Sequence, residues 1–385
     1  MKKMAFVDLC NFRDWPMGGM IRYELMILET LEQFYEIDLW GVSVDGKASS
    51  DIVINKKTYP LHIFANVKTK NRVIPNYWRG LQVKRFSEFF LKYDIIYAHT
   101  GSCFVSLAQK LKTKNTLLVY HQHGLQYLED YSLKTVLQKP FMNRAQKLSD
   151  FSFVVTGKAE LEEYTDGKRA YLKNKMVAIG SPVEGKESDL KKVTKRLEDK
   201  REDRAYRFIY CGRLARIKNV PNLVEIFALF CKRGYEKSSL LIVGDGEERD
   251  VVCKMIKRCD LQGRVHLTGA VEPKKVHEYM MQADFYITAS KGEGVSVAVL
   301  EAYAAGVPIV CFPVRGLKYQ VKNAQTGYVA KGMNQADFVD GMEYVVENQL
   351  ELVDHCFKEA EKYHKEKIGR QIVEELERRQ KYASD

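Results

Sequence analysis

Two glutamates, Glu293 and Glu301, stand with seven residues between them in Gly292-Glu293-Gly294-Val295-Ser296-Val297-Ala298-Val299-Leu300-Glu301. The first lies between glycines in a turn, and the second falls about two helical turns later on the helix that the turn opens, so both carboxylates can face one ligand. That placement suits a donor that is sugar at one end and nucleotide at the other. Upstream, Arg213 and Lys218 share the loop Gly212-Arg213-Leu214-Ala215-Arg216-Ile217-Lys218-Asn219. A guanidinium fork and a point-charge ammonium there could clamp a diphosphate and stabilise its charge as it leaves; the plainer alternative is a solvated loop. Gly244-Asp245-Gly246 marks another close backbone approach. Near the start, Gly18-Gly19 opens a helical pattern and lets backbone N–H groups approach an anion, although it is not a Gly-x-Gly-x-x-Gly fingerprint. His121 and His123 alternate along a strand and point the same way. As a two-ligand metal pair they lack partners, whereas His123, beside Gly124 at the strand end, could touch a sugar or an acceptor. Asp8 and Asn11 are polar candidates of the same kind.

These residues need elements to hold them. Short apolar runs at 4–9, 36–42, 94–98, 116–120, 151–156 and 175–179 alternate with segments long enough for helices, which implies βαβ units and parallel sheet. The pattern repeats at 208–211, 240–243, 265–268, 285–288 and 308–312. Between the repeats, after Gly180-Ser181-Pro182, the composition turns strongly charged, as a surface linker would. The α/β reading is therefore two Rossmann-like domains: an N-terminal one over 1–182, a linker over 183–205 and a C-terminal one over 206–365. A helix over about 366–385 is expected to pack back on the first. Ala304-Ala305-Gly306 reads as a helix end with a C-cap glycine before a buried strand.

Composition bounds the function. With 385 residues and 45% apolar content, the chain can bury two cores. The basic opening Met1-Lys2-Lys3 leads into an apolar stretch that Asp8 breaks too soon for a signal-peptide core, and no run is long enough to span a membrane. A cytosolic protein is the expectation. Eight cysteines are scattered without a Cys-x-x-Cys pair, so neither a disulfide framework nor a zinc site has support. The net charge of +11 is uneven: residues 1–175 carry 26 basic against 18 acidic residues, and 176–385 carry 35 against 32. The basic half could meet nucleic acid, anionic lipid or a phosphorylated acceptor.

The order Gly18-Gly19, then Arg213 with Lys218, then Glu293-x7-Glu301 followed by Gly306-x-Pro308, resembles the retaining glycosyltransferases of family 4, which have the GT-B fold of two Rossmann-like domains facing across a cleft. The resemblance spans nearly the whole chain and is strongest over 208–312. It implies that Arg213 and Lys218 bind the donor diphosphate, Glu293 contacts the donor sugar and Glu301 holds the ribose hydroxyls. Backbone N–H groups of Gly294, Val295, Ser296 and Val297 would help receive the phosphate charge, with Gly212 and Gly244 lining the donor and Gly18 and Gly19 facing it from the other domain. Val295-Ser296 departs from the Phe-Pro frequent there, which bears on sugar identity. The resemblance further implies retention, a UDP-sugar donor, a glycan or lipid-linked acceptor and no cofactor or essential metal, since Arg213 and Lys218 can do a cation's work and no Asp-x-Asp motif is present. A sugar-nucleotide epimerase and a non-catalytic nucleotide-sugar binder are the alternatives. A nucleic-acid protein would explain the charge but not these motifs.

The segment 76–92 is aromatic and basic. At helical spacing Trp78, Leu81, Phe86, Phe89 and Phe90 form an apolar stripe, expected to pack on the sheet. Together with Lys68, Lys70, Arg72, Lys84 and Arg85 the same region could instead rest on an anionic membrane surface.

Overall fold

The computed structural model describes residues 1–13, 19–44, 46, 48–67, 77–111, 115–125, 133–185, 191, 193 and 205–382. It contains two compact units, Met1–Pro182 with Lys365–Asp385, and Val183–His364. The first unit carries an eight-stranded sheet built from β1 (Lys2–Val7), β2 (Tyr35–Ser43), β3 (Ser50–Ile54), β4 (Lys57–Asn66), β5 (Ile95–Ala98), β6 (Leu117–Gln122), β7 (Phe151–Val155) and β8 (Met176–Ile179). Its order is β3-β4-β2-β1-β5-β6-β7-β8, parallel except where β3 runs antiparallel to β4. The strand order reverses between β1 and β5. Central strands read as continuous apolar runs because both faces are covered, as parallel sheets require; Ile95–Ala98 and Phe151–Val155 are buried throughout.

The hairpin of β3 and β4 is absent from the sequence-based strands. Its turn places Asn55 at φ 49° and Lys56 at φ 70°, the two left-handed positions of a type I′ turn, without the glycine that usually advertises one. Pro60 further disguises β4. It is tolerated because pairing with β2 begins only at Leu61, opposite Leu39, so its missing N–H falls outside that ladder.

The C-terminal helix Lys365–Tyr382 belongs to this first unit. Ile368, Ile372, Val373 and Leu376 form its buried stripe, and Gly369 permits close approach to the helix Gly19–Leu31, since a Cβ there would stand 2.4 Å from Thr30. Lys365 pairs with Glu29 at 2.5 Å, and the Arg379 guanidinium donates to the Asn174 carbonyl at 2.9 Å.

The second unit is a six-stranded, all-parallel sheet of β9 (Arg207–Cys211), β10 (Ser239–Val243), β11 (Val265–Gly269), β12 (Phe285–Thr288), β13 (Ile309–Cys311) and β14 (Gly327–Val329). Its order β11-β10-β9-β12-β13-β14 is the doubly wound arrangement of dinucleotide-binding sheets. One face packs Phe208, Phe227, Phe230, Phe285 and Phe338; the other packs Tyr286, Val299, Leu300 and Tyr303. Gly306, at φ +64°, ends the helix Val297–Ala304 and lies against Phe357, where a Cβ would be 2.1 Å from the ring. Val183 joins this unit, its N–H donating to the Tyr363 carbonyl at 2.8 Å, and most of the charged segment after it lies outside the described residues. All eight cysteines are free thiols, and no described helix is long and apolar enough to cross a membrane.

Segment 76–92 differs from the single amphipathic helix expected. Asn76 lies outside the described residues, and Gly80–Phe86 and Phe89–Lys92 are short 3-10 turns. With three residues per turn rather than 3.6, the helical stripe does not persist: Val83 and Phe90 are buried, while Trp78, Phe89 and Leu91 are exposed.

Candidate active site

In a doubly wound sheet, ligands bind beyond the carboxyl ends of the strands where the order reverses. In the second unit that point falls between β9 and β12, and the loops leaving those two strands carry Arg213, Lys218 and Glu293. Gly212 donates its N–H to the Val243 carbonyl at 3.0 Å, and Leu214 donates to the Asp245 carbonyl at 2.9 Å, which fastens the loop after β9 to the loop after β10. Gly244, at φ +138°, is required by this stitching, because a Cβ would stand 2.0 Å from the Gly212 carbonyl oxygen.

Beyond it the chain makes a 3-10 turn over Arg216–Lys218 and leaves through Asn219, whose left-handed backbone, φ 55°, starts the next helix. The Asn219 side-chain amide donates to the Ala289 carbonyl at 3.2 Å, and Lys291 donates its N–H to the Ile217 carbonyl at 2.8 Å, so the loops after β9 and β12 are joined. Across that join Lys218 Nζ donates to Glu293 Oε1 at 2.5 Å. Both side chains retain contact with solvent, 26% and 10% exposed, and Arg213 stands exposed beside them in the chain.

The turn holding Glu293 is pinned from behind. Gly316 donates its N–H to the Glu293 carbonyl at 3.2 Å, and a Cβ on Gly316 would lie 1.8 Å from the Gly294 carbonyl oxygen. Gln320 clasps Ser296 from both sides, accepting its N–H at 2.7 Å and donating to its carbonyl at 3.0 Å. The N–H of Ser296, one of the expected anion donors, is thus bonded to the Gln320 side chain in this structure. Glu301 is 7% exposed on the helix Val297–Ala304. Neither Gly316 nor Gln320 carries a sequence signal that separates it from an ordinary helix residue. Near the same turn, burial and then the Glu293 carboxylate hold the Tyr210 phenol and the Cys311 thiol far above their ordinary range.

The first unit has its own reversal, between β1 and β5. Gly18 lies outside the described residues, and Gly19 is the first residue of the helix Gly19–Leu31. Asn11 is 2% exposed and caps its own turn, accepting the Arg13 N–H at 3.0 Å. Asp8 is buried after β1 and accepts the Thr100 hydroxyl. His121 and His123 do point the same way, and they meet His99, just beyond β5. His99 and His121 stack at 4.7 Å, and His99 Nδ1 lies 2.9 Å from His123 Nε2. Glu24, fully buried on the first helix, completes the group with its Oε1 at 3.5 Å from His99 and 3.9 Å from His123. His123 thus has neighbours with ligand chemistry that its spacing to His121 does not reveal. Desolvation lowers the basicity of His99 and His121 strongly and pushes His123 down to about 3, while burial raises the acid pKa values of Asp8 and Glu24. His99, Glu24 and Cys10 escape a sequence reading because three separate elements bring them together.

Residues 191–363 match the family described as "Glycosyl transferases group 1". That match covers nearly all of the second unit, which therefore resembles the group 1 glycosyltransferases, and the pair of parallel-sheet domains is of GT-B type. An uncharacterized glycosyltransferase of Methanocaldococcus jannaschii is 25% identical over 330 residues, 82% of this chain and 78% of its own. An alpha-monoglucosyldiacylglycerol synthase of Acholeplasma laidlawii is 33% identical over 102 residues, 26% of this chain and 25% of the relative. Among solved structures, HepE of Anabaena in complex with UDP has the same fold, with a TM-score of 0.71 and 18% identity over 97% of this chain and 99% of its own.

Proposed function

We propose that this protein is a retaining, metal-independent hexosyltransferase that moves a sugar from a UDP-sugar to a glycan or lipid-linked acceptor in surface polysaccharide synthesis. The observation that carries the reading is the Lys218–Glu293 pair at 2.5 Å, joining the two loops at the reversal of the second sheet. A cation fixed there meets the diphosphate, and the carboxylate that fixes it is left facing the sugar. UDP in HepE supports the choice of nucleotide.

In the proposed reaction the bond between the anomeric carbon and the leaving phosphate oxygen breaks, and its electron pair goes to the phosphate. The acceptor hydroxyl forms the new bond on the same face, and its proton passes to the departing phosphate. Arg213 and Lys218 neutralise the charge that accumulates on the diphosphate, and Glu293 orients the sugar as it takes on oxocarbenium character. Glu301 holds the ribose hydroxyls. Gly212, Gly244 and the turn at Gly294, Val295 and Val297 bring backbone close to the phosphates. Gly18, Gly19 and His123 are the first domain's contribution to donor and acceptor.

The test is transfer from UDP-sugars with Glu293→Ala and Arg213→Ala proteins that keep the wild-type melting profile. Transfer should fall by about 10²–10³ in each; turnover at the wild-type rate refutes the site. A thermal-shift series across UDP-, GDP- and ADP-sugars identifies the donor, because the bound form raises the melting temperature.

A lipid-linked acceptor has its own support. Trp78, Phe89 and Leu91 are exposed close in sequence to the exposed Lys84 and Arg85, a combination that suits the surface of an anionic bilayer; Lys68, Lys70 and Arg72, the further cations of the sequence reading, lie outside the described residues. Co-sedimentation with phosphatidylglycerol vesicles should be lost in Lys84→Glu/Arg85→Glu protein; unchanged binding removes these residues from the reading.

A further inference from the structure

The reversal point of the first sheet holds a group of side chains that the proposed transfer does not use as a unit. His99 Nδ1, His123 Nε2 and Glu24 Oε1 form a triangle with sides of 2.9, 3.5 and 3.9 Å. One point lies about 2.0 Å from all three corners, which is the bond length of zinc to imidazole nitrogen and carboxylate oxygen. We propose that Glu24, His99 and His123 form a binding site for a divalent transition-metal ion, zinc by preference, in the N-terminal domain.

Three features besides the distances support the site. The ligands come from three rigid places, the first helix and the ends of β5 and β6, so the geometry is set by the fold rather than by a flexible loop. Glu24 Oε1 is buried and, among the described residues, accepts no hydrogen bond, a state that is costly for a carboxylate unless a cation or proton meets it. The other Glu24 oxygen accepts the Cys10 thiol at 3.8 Å, the kind of outer contact that orients a ligating carboxylate.

Two neutral imidazoles and one carboxylate make a set that zinc takes with three protein ligands and one further position for water or a small ligand. Hard cations such as Mg²⁺ prefer oxygen and discriminate against it. A metal on His123 Nε2 fixes the proton of that ring on Nδ1. The same residue is then a hydrogen-bond donor of defined direction.

The experiment uses the full chain without a histidine tag, dialysed against Zn²⁺ and then against metal-free buffer, with metal measured by mass spectrometry. About one zinc per chain is expected, as for a single three-ligand site. Replacement with Co²⁺ should give visible d–d bands of a four- or five-coordinate ion. His99→Ala and Glu24→Gln should each weaken Zn²⁺ binding on the order of a hundredfold or more, since outer contacts alone are worth 10–100-fold, while His266→Ala on β11 should leave it unchanged. Wild-type protein that retains no zinc and gives no Co²⁺ bands overturns the site, as does binding that survives both ligand substitutions; the hydrogen-bonded histidine pair is then the whole arrangement. Should a substituted chain fail to fold, the wild-type stoichiometry and Co²⁺ spectrum decide alone. UDP-induced stabilisation measured on the same samples reports the donor site independently.

Discussion

The two sheets reverse their strand order in the same manner and place very different chemistry there. At the second sheet's reversal the side chains are charged, partly solvated and paired across loops, as Lys218 and Glu293 are. At the first sheet's reversal they are buried and pushed toward neutrality: His99 and His121 with lowered basicity, Asp8 and Glu24 with raised pKa values. One topology therefore serves two purposes. Solvated charges on stitched loops can meet a mobile anionic ligand without a large desolvation cost, whereas buried aromatic and imidazole rings contribute packing and fixed geometry.

The largest effects should separate these two roles. Lys218→Ala should lower transfer by about 10²–10³ and move the melting temperature little, because the side chain is 26% exposed and packs no core. His121→Ala should do the opposite. That ring stacks on His99 at 4.7 Å and lies 4.9 Å from Tyr23 and 5.7 Å from Phe153, so its removal should cost about 2–4 kcal/mol, as buried large-to-small changes do. The residual folded protein should still bind UDP. A Lys218→Ala protein as unstable as His121→Ala would erase the contrast.

A smaller effect should come from the wall behind the donor turn. Gly316→Ala places a Cβ where the Gly294 carbonyl oxygen now stands at 1.8 Å, which forces the turn carrying Glu293 to move. Overpacking of this kind costs about 1–3 kcal/mol. Titration with UDP should show weaker binding in step with that shift; unaltered affinity would mean that the turn is not held by this contact.

The difference between the two sites also explains what a sequence reveals. Glu293, Glu301, Arg213 and Lys218 are legible because each sits at a fixed short distance from a glycine turn or helix start, and the local pattern carries the chemistry. Eleven apolar runs correspond to strands for the same reason, since β1, β2, β5 to β8 and β9 to β13 each carry a short local concentration of apolar residues. The cluster of Glu24, His99 and His123 is not legible, since its members are separated by long stretches of chain and only the β1–β5–β6 adjacency brings them together. The β3–β4 hairpin is hidden by an Asn-Lys turn and a proline, and β14, Gly327–Val329, by the glycine that opens so short a strand. Segment 76–92 misleads for a further reason: periodicity of 3.6 does not distinguish a helix from successive 3-10 turns that bury Gly80, Val83 and Phe90 and leave Phe89 in solvent.

The smallest effect concerns how a buried carboxylate is kept ionised within the first sheet, where Asp38 differs from its neighbour Asp8. Burial alone would raise the Asp38 pKa, but His62 at 3.3 Å, the Tyr93 hydroxyl and Lys92 at 3.0 Å together hold it well below the ordinary 3.8. A carboxylate with a depressed folded pKa contributes stability that is present above the unfolded value and is lost as the pH falls through the folded one. Acid unfolding of the wild-type chain should therefore include an Asp38 contribution that begins to fade as the pH drops toward 4. Asp38→Asn removes the titrating group while keeping its size, so the stability difference between the two proteins should be greatest at neutral pH and shrink on acidification. Melting temperatures measured from pH 7 down to pH 3 test this. A difference that stays constant across the range would show that Asp38 acts through shape and hydrogen bonding, and that its charge is not what the neighbouring cation and hydroxyl stabilise.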